Sequence, residues 1–292
     1  MSSTVRRFLF DGLDIRGAIV HLDDTWQQMQ ADRNYQPTVA QVLGETAAVT
    51  ALIGAQLKQP GRLTLQLRGN GPIQLLVMDC NESLQMRGMA RSNPVVLPAP
   101  VSELLGAHQG GQLMMSLDLP TARQPYQSFV PMVGDSIAAI FEHYLEQSEQ
   151  QPSRLFASAG PRAAACLFLQ KMPGADQRDP DGWHRISQLA STVKNTELLE
   201  LDAETLLLRL FHEEAESRGL RLYDAQTVVY HCPEDREKVR DMIRGIGRAD
   251  AEAILAEHGE ILIRDDICNR DYHFSAEEVA ALFDDPAAKS LH

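Results

Sequence analysis

The chain has 292 residues, a formal net charge of -13 and 44% apolar residues, so it is built to fold rather than to stay disordered, and its acidity disfavours broad binding to nucleic acid or anionic membranes. No apolar run approaches the roughly 20 residues that span a bilayer, and the N-terminal cluster Phe8-Leu9-Phe10 is too short for a secretory leader. Four cysteines are too few for a disulfide scaffold, and the expected location is the cytoplasm.

Ile15 to Leu22 reads as a strand, and Asp23 and Asp24 can cap a short helix to about Ala31. Pro37 opens a long helix to about Lys58, with Val39, Val42, Leu43, Ala47, Leu52 and Leu57 on its apolar face. Leu63, Leu65 and Leu67 alternate with polar residues, Gly69-Asn70-Gly71-Pro72 marks a turn, and Ile73 to Met78 resumes a strand. A hairpin follows from that pattern. Further strands are expected at 84–90, 113–119, 126–133, 155–157 and 164–172, with a helix from Asp135-Ser136 to about Glu149. Strands grouped by hairpin turns, with few alternating βα units, predict an α+β fold with a mainly antiparallel sheet.

Composition shifts at Pro173-Gly174, and a polar stretch from Asp176 to Gly182 follows. Trp183, Ile186, Leu189 and Val193 then recur at helical spacing, as do Leu206, Leu207, Leu210 and Phe211 after Asp202, a good N-cap. The chain thus divides into an N-terminal domain (1–175), a helical amphipathic linker (176–229) and a small C-terminal α+β region (230–292). In the last part, helices are expected from Pro233 to Arg244 and from Arg248 to about Glu257, the second stopping at Gly259. Ile261–Ile263 and Tyr272–Phe274 pair as a hairpin, and Ser275 with Glu278 forms a capping box for a final helix. So small a unit holds few large apolar residues and needs a further tie.

Four residues in that unit could supply the tie. Cys232 opens Cys232-Pro233-Glu234, and Cys268 closes Asp265-Asp266-Ile267-Cys268. Thiols at 234 and 265 would complete a four-thiolate zinc pattern; this chain has half of it. Cys80 and Cys166 sit in apolar stretches and read as buried small hydrophobes. A thiol enzyme with Cys80 or Cys232 as nucleophile, or a metal-dependent binding module, are the competing classes.

The run Cys232, Arg236-Glu237-Lys238-Val239, Gly245, Gly247, Ile254-Leu255, Gly259-Glu260-Ile261, Cys268-Asn269, Tyr272 and Phe274 resembles the 33 kDa chaperonin, or heat shock protein 33, family. Arg16-Gly17, Gly69-Asn70-Gly71-Pro72, Gln85-Met86-Arg87-Gly88-Met89-Ala90-Arg91, Leu155-Phe156, Thr196-Glu197-Leu198-Leu199 and Arg209-Leu210-Phe211-His212-Glu213-Glu214 extend the resemblance over essentially the whole chain, in order. It implies an ATP-independent, non-enzymatic holdase that binds unfolding client proteins under oxidative or heat stress. In such chaperones four cysteines bind zinc in the resting state, and oxidation forms two disulfides, releases the metal and unfolds the linker. The linker surface of Trp183, Ile186, Leu189, Val193, Leu206, Leu207, Leu210 and Phe211 would then serve clients, and a homodimer is a possible active state. Glu234 and Asp265 replace two of the four cysteines, so the two-bridge switch cannot be copied intact. Three arrangements stay open: zinc held by Cys232, Cys268, Glu234 and Asp265, with His231 or His273 as substitute ligands; one bridge between Cys232 and Cys268; or two remnant cysteines with packing alone. The third is preferred, with zinc absent.

Overall fold

The computed structural model describes residues 2–284, and the chain separates into two compact units between His231 and Cys232. In the first unit the elements run β1 (Thr4–Phe10), β2 (Ile15–Leu22), α1 (Asp24–Gln30), α2 (Pro37–Gly54), β3 (Arg62–Arg68), β4 (Ile73–Asn81), β5 (Gln85–Ser92), α3 (Val101–Leu104), β6 (Gln112–Asp118), β7 (Tyr126–Val130), α4 (Ile137–Glu149), β8 (Ser153–Ala159) and β9 (Ala164–Lys171). The expected linker follows as α5 (Ala175–Arg178), α6 (Gly182–Ala190), α7 (Asn195–Glu200), α8 (Ala203–Arg218), β10 (Leu220–Leu222), β11 (Gln226–Thr227) and β12 (Val229–Tyr230). The second unit holds α9 (Arg236–Ile246), α10 (Arg248–His258), β13 (Glu260–Asp265), β14 (Arg270–Ser275) and α11 (Ala276–Asp284). The α+β class therefore holds, and every strand pairing is antiparallel except β12 on β5.

Two sheets enclose α2. The first has the order β10-β1-β2-β9-β8, with β11 also on β1; the second runs β12-β5-β4-β3-β6-β7. Val42, Leu43, Ala47, Ala48, Ala51 and Leu52 of α2 share one core with Val20 and Phe168 of the first sheet and Leu65 and Met78 of the second. The single apolar face expected for α2 is corrected by this placement. Small residues such as Gly44 and Ala48 are buried as fully as Leu43, because a helix between two sheets has no solvent side. Thr46 and Thr50 satisfy their buried hydroxyls by donating to the carbonyls of Val42 and Thr46, each at 2.7 Å.

Other boundaries move for local reasons. α2 stops at Gly54 rather than near Lys58. β7 stops at Val130 rather than Val133, since Pro131 has no N–H for the ladder. α9 begins at Arg236 rather than Pro233, because the Asp235 carboxylate accepts from Lys238 N at 3.0 Å, and it passes Gly245 to end at Ile246. Residues 176–229 pack within the first unit, and β1, whose paired arginines mask the alternation, is a strand that the sequence pattern did not reveal. The expected hairpin of the second unit forms, with Ile261 facing Phe274 and Ile263 facing Tyr272. Ser275 and Glu278 complete their reciprocal cap. Among the described residues, no helix is long and apolar enough to cross a membrane.

Glu45 is buried on α2 and accepts one hydrogen bond, from Gln41 Nε2 at 3.0 Å. Burial pushes its carboxyl up to about 7. The folded state thus holds this proton more tightly than the unfolded chain does, so stability is lost as pH rises through neutrality. Glu45→Gln is expected to leave stability nearly unchanged at about pH 4 and to raise it by on the order of 2–3 kcal/mol at about pH 8, read from denaturant midpoints.

Candidate functional site

The first sheet has two apolar faces. Alternation along β2 turns Ala18, Val20 and Leu22 towards α2, and Ile15 and Ile19 the other way; β9 does the same with Leu167 and Leu169. That second face is covered by α6, α7 and α8. Ile186, Leu198, Leu206, Leu207, Leu210 and Phe211 are buried in one cluster with Phe8, Phe10 and Leu13, and Trp183, Leu189 and Val193 pack around it half-buried. All eight linker residues singled out by spacing therefore meet on this face. Leu198 joins them without having been singled out, although it lies in the quoted Thr196–Leu199 motif.

Aromatic contacts fix the fit. The rings of Phe8 and Phe10 meet edge to face at 5.9 Å, and Phe10 meets Phe211 in the same way at 5.3 Å. Phe8 pairs across the ladder with Gly17, where a Cβ would run into the Phe8 ring and come within 2.6 Å of the Phe168 carbonyl. The Arg16-Gly17 motif is thus a seat for Phe8. At Phe211 the backbone of α8 leaves the helical region, with φ -133° and ψ 23°, so the helix bends where its last buried ring docks.

Polar ties lock the same helices. Asp202 caps α8 by accepting from Glu204 N and Thr205 N, both at 3.0 Å. Arg185 of α6 makes a two-point contact with the buried Glu214 of α8, at 2.8 and 3.2 Å, and also meets Asp179 at 3.0 Å and Asp181 at 3.3 Å. Arg218 reaches Asp179 at 3.0 Å. Glu214, then Asp179, hold the Arg185 guanidinium firmly charged, and Arg185 in turn lowers the Asp179 pKa. On the sheet side, His21 Nε2 is 2.8 Å from the Leu199 carbonyl.

In the second unit the sulfurs of Cys232 and Cys268 meet at disulfide distance, with Cα atoms 5.6 Å apart, inside the range a bridge requires. The preferred remnant arrangement is corrected to that extent: the two cysteines are partners in space. The four-ligand zinc set is not assembled, for among the described residues no three or more His, Cys, Asp or Glu side chains are placed to hold a metal. Asp265 instead turns Oδ1 inward to accept from Ile267 N at 3.0 Å and Cys268 N at 3.1 Å, and Glu234 is exposed. Two mutually engaged sulfurs and a carboxylate spent on backbone N–H groups do not fit a closed structural zinc site. A cation nonetheless lies there. Arg270, which spacing did not single out, faces Asp265 across the hairpin and donates from Nη2 to the Cys232 carbonyl at 3.3 Å.

The other thiols are poor nucleophile candidates. Cys80 and Cys166 are fully buried. Burial, followed by the negative charges of Asp79 and Glu82, pushes the Cys80 thiol up to about 12, and burial raises Cys166 as well, so little reactive thiolate forms near neutrality.

Known proteins match along nearly the full chain. A family model described as Hsp33 protein matches residues 3–275. A 33 kDa chaperonin of Methylobacillus flagellatus is 39% identical over 285 residues, covering 97% of this chain and 95% of its own. One of Chromobacterium violaceum is 38% identical over 281 residues, covering 96% and 93%. The crystal structure of a Thermotoga maritima 33 kDa chaperonin, a heat shock protein 33 homologue, superposes with a TM-score of 0.78 at 23% identity, covering 97% of this chain and 98% of that one.

The Arg185 cluster is expected to set the local stability of the docked helices. Arg185→Ala should cost about 1–3 kcal/mol, because it strands the Glu214 carboxylate. Amide hydrogen exchange should accelerate in α6 and α8 and stay unchanged in α2.

Proposed function

The chain belongs to the Hsp33 family, and from that membership we propose that it is an ATP-independent holdase chaperone of the cytoplasm that binds unfolding proteins and keeps them from aggregating. The observation that carries this reading is the cluster in which α6, α7 and α8 cover the Phe8, Phe10 and Leu167 face of the first sheet. Undocking those helices uncovers two apolar surfaces at once, the sheet face and the helical stripe. An unfolding client presents apolar segments that can cover both. Binding then exchanges one set of buried contacts for another, and nucleotide hydrolysis has no step to drive.

The switch is a population shift. Docking free energy of a few kcal/mol keeps the open state rare, and a stress that removes most of it makes the open state dominant. The paired cysteines and the docked helices occur in the same structure, so closing the pair does not by itself require undocking. Heat or an unfolding oxidant acting on the helices is therefore the proposed trigger. Oxidation of the two thiols by peroxide, which yields one disulfide and two waters, adjusts the second unit. No catalytic residue is assigned, and a homodimer is the proposed assembly of the open state.

The test follows light scattering of a thermally unfolding client with no nucleotide present. Wild type is expected to suppress scattering at raised temperature, with or without peroxide. Leu207→Asp, which buries a charge against Phe10 and its neighbours and should cost about 3 kcal/mol or more, is expected to suppress a chemically unfolded client already at low temperature. The Cys232→Ser/Cys268→Ser variant should retain heat-induced suppression. A wild type that leaves scattering unchanged under both heat and peroxide would sink the holdase reading.

A further inference from the structure

The segment from Cys232 to Arg236 is fastened to β14 at several points besides the sulfur pair. Arg270 Nη2 donates to the Cys232 carbonyl at 3.3 Å. Asp235 N donates to Tyr272 Oη at 3.4 Å. Arg236 lies 4.8 Å over the Phe274 ring, and donates to the His273 carbonyl at 3.2 Å and to Glu278 Oε1 at 2.8 Å. Arg270, Tyr272 and Phe274 alternate along one strand and meet the same arm in turn.

Arg270 differs from the other two because it sits at the sulfur pair. It faces Asp265, the last residue of β13, in the hairpin register, and cross-strand neighbours of opposite charge attract. Its Nη1 is sealed from solvent without a hydrogen-bond partner among the described residues. A guanidinium half-stripped of water stays where negative charge compensates it. The two positions that depart from a four-cysteine pattern, Glu234 and Asp265, are both carboxylates, and an arginine two residues after Cys268 is matched to them in charge.

We infer that Arg270 is the resident cation of this unit: bonded to the Cys232 carbonyl and set opposite Asp265 in the hairpin register, it holds the Cys232 arm beside Cys268 and fills the electrostatic role that a metal ion would otherwise have. A metal held through cysteine sulfurs needs them as thiolates and loses those ligands when they oxidise. An arginine is indifferent to the state of the sulfurs. The arm therefore stays in place when the bridge is opened, the two thiols remain neighbours at high effective concentration, and the bridge opens and closes without the unit unfolding. This inference needs no client and stands apart from the holdase reading.

The experiment uses the full chain treated with EDTA and equilibrated with mixtures of reduced and oxidised dithiothreitol. The dithiol gives two electrons and two protons to the bridge and is itself closed to the cyclic disulfide. Trapping thiols with a maleimide gives the bridging constant. Arg270→Gln is expected to lower that constant about tenfold, the usual size of a charge-assisted hydrogen bond. Adding Glu234→Gln to Arg270→Gln should recover part of the loss, because the carboxylate left without its cation is removed; a purely steric role for Arg270 predicts no recovery. Hydrogen exchange in α10 and α11 of the reduced wild type should remain protected. Zinc chloride added to the reduced wild type, followed by desalting and metal analysis, should leave well under one equivalent. An unchanged constant in Arg270→Gln, no recovery in the double variant, loss of protection on reduction, or stoichiometric zinc would each overturn the assignment.

Discussion

The central strands of the first sheet, β2 and β9, have no solvent face, and the organisation of the first unit follows from that. Almost every residue of β2 and β9 is buried, so each strand needs a cover on both sides. α2 supplies one cover and is itself locked between two sheets. The other cover comes from helices that follow β9 in sequence and return across the sheet. A sheet of this kind is stable only while something apolar lies on each face. For the second face that something is the set of helices α6, α7 and α8, rimmed by the ion pairs of Arg185, Arg209 and Arg218. The same requirement that makes the helices dock makes the uncovered sheet adhesive.

Two arginines perform parallel work in the two units. Arg185 gathers Asp179, Asp181 and Glu214, and so joins the loop before α6 to α8. Arg270 joins the arm that enters the second unit to its hairpin. In each case a planar, permanently charged group bridges segments whose apolar contacts are modest, which suits guanidinium better than ammonium. The second unit needs this more. Its core is Val239, Ile243, Ala251, Ile261, Tyr272, Phe274, Val279 and Leu282, a small set for a body expected to hold together alone.

Much of this was legible in the residues. Alternation of Ile261 with Ile263, and of Tyr272 with Phe274, announced the hairpin, and Asp202 announced the start of α8. The helical spacing of Trp183 to Val193 and Leu206 to Phe211 identified the docking stripe, since period alone selects a face. That the stripe docks on the N-terminal sheet follows from the same reading, but the strand β1 that supplies Phe8 and Phe10 was not legible, because Arg6-Arg7 interrupts its pattern. The return strands β10, β11 and β12 have three, two and two residues, too short to impose a period. Arg270 was within reach: the hairpin register that pairs Ile261 with Phe274 also places it opposite Asp265. It was hidden by the density of charge from Arg264 to Asp271, where no single residue stands out until the strands are paired.

Those short return strands also set how the first unit bears load. The last stretch before Cys232 is tied by His231 N to the Met86 carbonyl at 3.0 Å and Val229 N to the Leu84 carbonyl at 3.0 Å. Val228 N to the Ser3 carbonyl at 2.9 Å and Tyr223 N to the Arg7 carbonyl at 2.9 Å come next. These bonds lie in series along the chain. Tension applied at residue 231 loads one or two of them at a time, and each that parts passes the strain to the next, so the segment peels like tape. The peel runs from β12 to β10, draws Val228 out of the large core on the way, and arrives at the C-terminal end of α8. Tension carried along the backbone at residue 231 is thereby passed, through β10, to the helix α8 that covers the sheet.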